Sequence, residues 1–180
     1  LPNAYGVLSD EEDGTYHAVK RLAQAGRRNI AFVNDDETES EQHKLNGYLR
    51  AIQECGLPER CYRAERSIEG GQFATTRILR QDPRTDAIVF TEDTTAVGGL
   101  HTLLITGKRI PEDVAVIGCN NSVYCTICYP QLSSIDNSLH ETGRTAAQQM
   151  IRLLNHEPDV EKTVCLPCRL VLRDTTPPMM

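Results

Sequence analysis

The stretch from residue 85 to 121 constrains this chain more than any other. It reads as an apolar strand Ala87–Phe90, a helical segment over about 93–106 stopped by Gly107 with Pro111 beyond, and a second apolar strand over 114–119. Neither strand alternates with polar residues, which is the pattern of parallel strands covered on both faces. The helix between them supplies the crossover that parallel strands require, so the segment is one βαβ unit. Each strand empties into polar residues, Thr91-Glu92-Asp93 after the first and Asn120-Asn121 after the second. Ligands of open parallel sheets sit outside the carboxyl ends of the strands, so these residues form a candidate binding rim.

The same grammar runs through the rest of the chain. A short strand over 5–8 leads through the acidic run 10–13, suited to a helix N-terminus, into a helix with Tyr16, Val19, Leu22 and Ala23 on one face. Gly26 ends that helix, and a buried strand over 29–33 opens into Asn34-Asp35-Asp36, a third rim segment. A helix over 40–54 aligns Leu45, Tyr48, Leu49 and Ile52 and stops at Gly56. Residues 61–65 are a weak strand, and 69–80 a helix with Phe73, Ile78 and Leu79 on its apolar face. Beyond the central unit, 124–129 (YCTICY) has a β-rich composition bounded by Pro130, and 132–135 is a further short strand. The helix over 137–155 places Leu139, Ala146, Ala147, Met150 and Leu154 together, and VCLPCRLVLR near the end reads as strand. The expected fold is a doubly wound α/β domain on a parallel sheet, with a tail of mixed elements ending in TTPPMM.

At 180 residues the chain supports one well-cored domain, or one and part of a second. It does not begin with Met and is read as part of a longer protein. No apolar run approaches the roughly 20 residues of a membrane-spanning helix, and the start is not a signal peptide. A net charge of −6 argues against direct contact with a phosphate backbone. The basic doublets Arg27-Arg28 and Lys108-Arg109 each follow a helix-ending Gly and read as surface charge.

Seven cysteines include two CxxC pairs, Cys125–Cys128 and Cys165–Cys168. Zinc knuckles want a tight turn and thioredoxin-like sites want a following helix, and neither setting is present here, so reduced cytoplasmic cysteines are expected and no metal is assigned. His17, His43, His101, His140 and His156 are scattered, none in a catalytic order with Ser or Cys and an acid. No Gly-rich phosphate loop occurs, so no catalytic residue and no cofactor is assigned.

Several segments together resemble the effector-binding part of the LacI/GalR family of bacterial transcription regulators. Gly26-Arg-Arg-Asn-Ile-Ala-Phe32 is close to the family's G-H-R-x-I-A-F, with Arg27 in place of His. Ser40-Glu-Gln-His-Lys44-Leu-Asn-Gly47-Tyr48 resembles S-x-x-x-R-x-x-G-Y. Thr85 to Gly98 resembles T-A-I-F-x-x-N-D-x-x-A-x-G, and Ile110 to Asn121 resembles I/V-P-x-D-V-S-V-I-G-F-D-D. Pro130 to Ile135 and Leu166 to Thr176 resemble the closing P-x-L-T-T-I and L-P-x-x-L-V-x-R-x-S-T. Six motifs in order over nearly the whole chain are specific to the family.

The resemblance implies a periplasmic-binding-protein-like C-terminal subdomain, about 9–135 and 163–176. The DNA-binding headpiece would be absent, and the helix 137–155 would come from an otherwise absent N-terminal subdomain. That helix would then find another home for its apolar face, such as a second chain. By position, Ser40, Lys44, Glu92, Asn120 and Asn137 would line the effector cleft, for a sugar or other small polar metabolite. Lys44 stands where Arg is usual and cannot bridge two hydroxyls as a planar fork does. Glu92 and Asn120 have traded the family's amide and acid, and Lys44 opposite Glu92 is a candidate salt bridge. Two plainer readings stay open: Glu92 as the acidic first turn of the next helix, with Asp93, and Asn120-Asn121 as a turn favoured by amides. The family also implies a homodimer through Val97, Leu100, His101, Leu104, Cys125 and Tyr129, with the alternative that these pack on their own sheet. Operator DNA would be reached only through the headpiece, with no membrane partner. An extracytoplasmic sugar-binding receptor and a zinc or redox module are the competing classes.

Overall fold

A computed structural model describes residues 4–35 and 38–178. Asp36 of the expected third rim segment, and Met179-Met180 of the tail, lie outside the described residues. The elements in chain order are β1 (Gly6–Asp10), α1 (Glu11–Gln24), β2 (Ile30–Asn34), α2 (Glu39–Cys55), β3 (Cys61–Arg63), α3 (Ile68–Gln81) and β4 (Ala87–Phe90). There follow α4 (Asp93–Ile105), β5 (Ala115–Cys119), α5 (Tyr124–Ile127), β6 (Ser133–Asp136), α6 (Leu139–Leu154), β7 (Thr163–Pro167) and β8 (Arg169–Val171). Six strands form one sheet in the order β3-β2-β4-β5-β6-β8, parallel throughout except for β8. The strand β1 pairs instead with β7 in a separate two-stranded parallel sheet.

The unbroken apolar strands follow from this layering. Along β2, Ile30 and Phe32 enter the core beneath α1 and α2, while Ala31 and Val33 enter the core beneath α3 and α4. Successive side chains of a strand point to opposite faces, so a sheet covered twice needs apolar residues at every position. Tyr48 of α2 stacks on Phe32 at 4.9 Å between ring centroids. Its hydroxyl donates to the Ile30 carbonyl at 3.0 Å and accepts the Arg60 amide at 2.8 Å, so a fully buried phenol keeps both partners.

The helices α3 and α4 meet backbone to backbone. A Cβ at Gly71 would lie 2.0 Å from the Thr95 carbonyl, and one at Gly98 would lie 1.9 Å from that of Ile68. Gly71, Ala74 and Thr75 therefore share the buried face of α3 with Ile78, which was expected there, whereas Phe73, also expected inside, is 70% exposed.

Other expectations need correction. YCTICY is not a strand but contains the single helical turn α5, because β6 already occupies the edge of β5 and the Asp93 carboxylate accepts the Ser122 amide at 2.7 Å just before the turn. The strand VCLPCRLVLR divides at Pro167 and Cys168, one half joining β1 and the other joining β6. The apolar face of α6 finds no cover among the described residues: the helix lies on β1, no residue of it is buried, and Leu139, Met150, Ile151 and Leu154 are exposed. With a two-stranded sheet as its support, there is no second layer to close over it.

Candidate ligand-binding rim

The carboxyl ends of β2, β4, β5 and β6 converge with the starts of α1 and α2, and their polar side chains join into one chain of contacts. Lys44, on the second turn of α2, reaches Glu41 at 2.8 Å, Glu11 at 3.5 Å and the Thr91 carbonyl at 3.4 Å. The Asn137 amide donates to Glu11 at 3.1 Å and to Asn120 Oδ1 at 2.9 Å. Asn120 in turn donates to Glu92 Oε2 at 2.7 Å. Glu92 Oε1 lies 3.6 Å from Arg66, which also ion-pairs with Asp35. Four of the expected ligand residues, Lys44, Glu92, Asn120 and Asn137, are thus brought together.

Local backbone explains the choice of amides after β5. Asn120 and Asn121 have φ of 93° and 47°, a region that short amide side chains tolerate better than most L-residues. The turn reading of this pair is therefore correct as well, and it aims Asn120 along the rim. Asp93 is more than a first-turn acid. It is buried and takes Ser122 N and Ser134 Oγ at 2.7 Å each, fastening the loop that carries the asparagines.

The electrostatics are those of a site closed on itself. Lys44 is 3% exposed, not the solvated charge of an ordinary helix start. Burial works to lower its pKa, but the neighbouring Cys119, Glu41 and Glu11 outweigh it and hold the ammonium charged. Burial has raised the Cys119 thiol out of its ionising range, so the carboxylates supply that stabilisation. Burial raises the Glu92 carboxyl, with Arg66, Lys44 and Asn120 pulling the other way. The expected Lys44–Glu92 bridge is not formed, because Glu41, one helical turn back on α2, and Glu11 reach the ammonium first. Cys119 and Cys168 both donate to Asn137 Oδ1, at 3.6 and 3.5 Å, and burial pushes the Cys168 thiol up to about 12.

Ser40 stands apart from these contacts. It lines a neighbouring cleft of about 410 Å³ with Ser9, Glu11, Glu39 and His43. A larger cleft of about 570 Å³ lies beyond Asp35, between residues 63–65 and the start of α3, and shares with the rim only Asp35. The paired polar groups, rather than the larger hollow, are the candidate site. Sequence reading missed Glu11, Glu41 and Arg66. Glu11 and Glu41 were legible as helix-start acids, and Arg66 follows β3, whose carboxyl end belongs to the same rim.

The expected contact residues divide. His101, Leu104 and Tyr129 are exposed and Val97 is half-buried. Leu100 is 2% exposed and Cys125 is fully buried, so neither faces a partner. Leu100 lies on the side of α4 that carries Ala96 and Leu103, and Cys125 points inward from a helical turn where a strand was expected. Among the described residues, no group of three or more His, Cys, Asp or Glu side chains is placed to hold a metal ion. Among them also, no helix is long and apolar enough to cross a membrane.

The chain matches the family described as "Periplasmic binding protein-like domain" over residues 19–176. It is 31% identical to catabolite control protein A of Priestia megaterium, over 94% of this chain and 53% of that protein. It is 30% identical to an HTH-type transcriptional regulator of Lachnoclostridium phytofermentans, over 97% of this chain and 53% of that protein. Among solved structures, it resembles a LacI family transcriptional regulator from Arthrobacter sp. FB24 in complex with lactose. The TM-score is 0.87 and the identity 29%, over 97% of this chain and 66% of that one. The chain thus spans about half the length of the curated relatives it matches.

Proposed function

This chain belongs to the periplasmic binding protein-like family in the form carried by LacI-type regulators, and from that premise we propose that it is the effector-sensing part of a cytoplasmic transcriptional regulator. The effector is a small polyhydroxylated molecule such as a sugar. The observation that carries this reading is the run of contacts from Lys44 through Glu11, Asn137 and Asn120 to Glu92. Carboxylate, amide and ammonium groups within hydrogen-bonding reach of one another exchange partners with hydroxyl groups at little cost, since each hydroxyl both donates and accepts. The lactose in the Arthrobacter relative supports the same ligand class.

The elements β1, β7 and α6, separate from the large sheet, belong in this reading to a second lobe that closes on the effector. Closure shifts the population of lobe arrangements, and operator affinity changes with it through DNA-binding segments outside these 180 residues. The role is binding and signalling rather than catalysis. A homodimer forms through the outer side of α4, the half-buried Val97 with the exposed His101 and Leu104, together with the exposed Tyr129.

The test is a thermal-shift screen of the full-length protein against sugars, polyols and nucleosides, repeated with Asn137→Ala and Glu92→Ala. A hit weakened by these substitutions supports the site; a hit indifferent to both refutes it.

A further inference from the structure

The rim holds more negative charge than its own cations neutralise, and one buried acceptor is left over. Among the described residues, four carboxylates, Asp35, Glu11, Glu41 and Glu92, face two cations, Lys44 and Arg66, and Arg63, in the cleft that Asp35 also lines, brings a third positive charge without closing the difference. The next charged groups do not alter this. Both Asp93 oxygens are taken by Ser122 and Ser134, and Arg173 is committed to Asn121 and the Leu132 carbonyl. The positive ends of α1 and α2 are met by their own first-turn acids, Glu12, Asp13 and Glu39.

Within this excess, Glu41 is 1% exposed, and its Oε1 holds Lys44 while its Oε2 has no hydrogen-bond partner among the described residues. A buried carboxylate oxygen without a donor is costly, and this one, beside the paired rim groups, is open to a donor brought by a ligand. Glu41 lies within electrostatic reach of Arg66, as do Asp35 and Glu92, so the orphan belongs to the rim. The Arg66 side chain is 53% exposed while held by both oxygens of Asp35 and by Glu92, so a competing ammonium would have to displace it from Glu92.

Accepting the effector reading above, we propose that the effector is an amino polyol, whose ammonium group is received by Glu41 with Glu92 beside it. A neutral hydroxyl would satisfy the orphan oxygen but leave the excess charge unanswered. A sugar acid or a sugar phosphate would add to it.

The proposal is tested by calorimetric titration of the full-length protein with matched triads: glucose, glucosamine and glucuronate, then galactose, galactosamine and galacturonate. The amino member is expected to bind about tenfold or more tightly than its neutral counterpart, with the acid weakest. Glu41→Gln, and separately Glu92→Gln, should each shrink the ratio of amino-sugar to neutral-sugar affinity by several-fold, and a ratio unchanged in both overturns the assignment of the ammonium to these carboxylates. Binding of a neutral or acidic member as tight as the amino one overturns the charge preference and leaves the polyol reading standing. Silence from both triads counts against the polyol reading itself and removes this proposal with it. Because the wild-type triads already discriminate, a poorly folding Glu41→Gln does not protect the proposal.

Discussion

Asn120 donates a 2.7 Å hydrogen bond to Glu92, and through it the ends of the neighbouring strands β5 and β4 are tied side chain to side chain. The bond needs an amide donor and a carboxylate acceptor, and either strand end can carry either one. An acid and an amide that trade places between two strand ends therefore keep the tie. Asn120→Asp should break it by setting two carboxylates against each other, at a cost of about 1–3 kcal/mol at pH 7. The repelling pair would have raised folded-state pKa values, so the deficit should fade as pH falls toward the ordinary carboxyl range. Adding Glu92→Asn should restore most of the loss. Urea unfolding at pH 7 and pH 4.5 measures both variants beside the wild type.

Glu92 itself has a folded-state pKa raised above the ordinary carboxyl value of 4.5, chiefly by burial. The native state then binds more protons than the unfolded chain just above that value, so this group's contribution to stability falls as pH rises from 4.5 through the folded pKa. Glu92→Gln should remove this slope, melting above wild type at pH 7 and gaining nothing below pH 4.5. Melting curves across that range check it, and a variant less stable at neutral pH would show that the Arg66 contact outweighs the burial.

Lys44 is held in place by Glu41 and Glu11, and all three are largely buried. Lys44→Met leaves two carboxylates without their cation and should cost about 3–5 kcal/mol. Restoring neutrality with Glu41→Gln in the same chain should recover a substantial part, as a double-mutant cycle in urea would read directly. Equal and additive losses would mean the pair is not coupled.

The glycines give a sharper contrast. Gly71→Ala and Gly98→Ala press a methyl group into carbonyl oxygens across the α3/α4 contact and should each cost at least about 2 kcal/mol. Gly143→Ala on α6 meets nothing within 4 Å and should stabilise by about 0.5–1 kcal/mol, through the lower helix propensity of glycine. The three differ by the same single methyl group, so opposite signs in melting temperature isolate the packing effect.

What the sequence made legible follows the same physics. Strands β2, β4 and β5 announced themselves because burial on both faces leaves no room for polar residues. Glu92 and Asn120 were legible as rim residues because strand ends are fixed once the strands are, whereas Lys44 and Asn137 were assigned from the family resemblance. Lys44's burial was not legible, since one of its compensating carboxylates, Glu11, comes from another helix. Nor was α5, whose turn follows a backbone amide held by Asp93 from 29 residues away. Arg66 escaped because β3 is a three-residue edge strand with little pattern to read.

The phase of α4 was hidden for a different reason, and it decides where a partner can dock. This helix carries apolar residues nearly all round, so periodicity could not separate the face toward the sheet from the face toward solvent. The structure separates them, burying Leu100 and leaving Leu104 and Tyr129 exposed. Leu100→Ala should therefore cost about 2–5 kcal/mol of folding stability. Leu104→Glu with Tyr129→Glu should leave stability within about 0.5 kcal/mol yet shift the full-length protein from dimer toward monomer. Light scattering on a sizing column, beside urea unfolding at a concentration where the monomer is populated, tells the two effects apart. A dimer indifferent to Leu104→Glu and Tyr129→Glu would place its contact elsewhere on the molecule, away from α4.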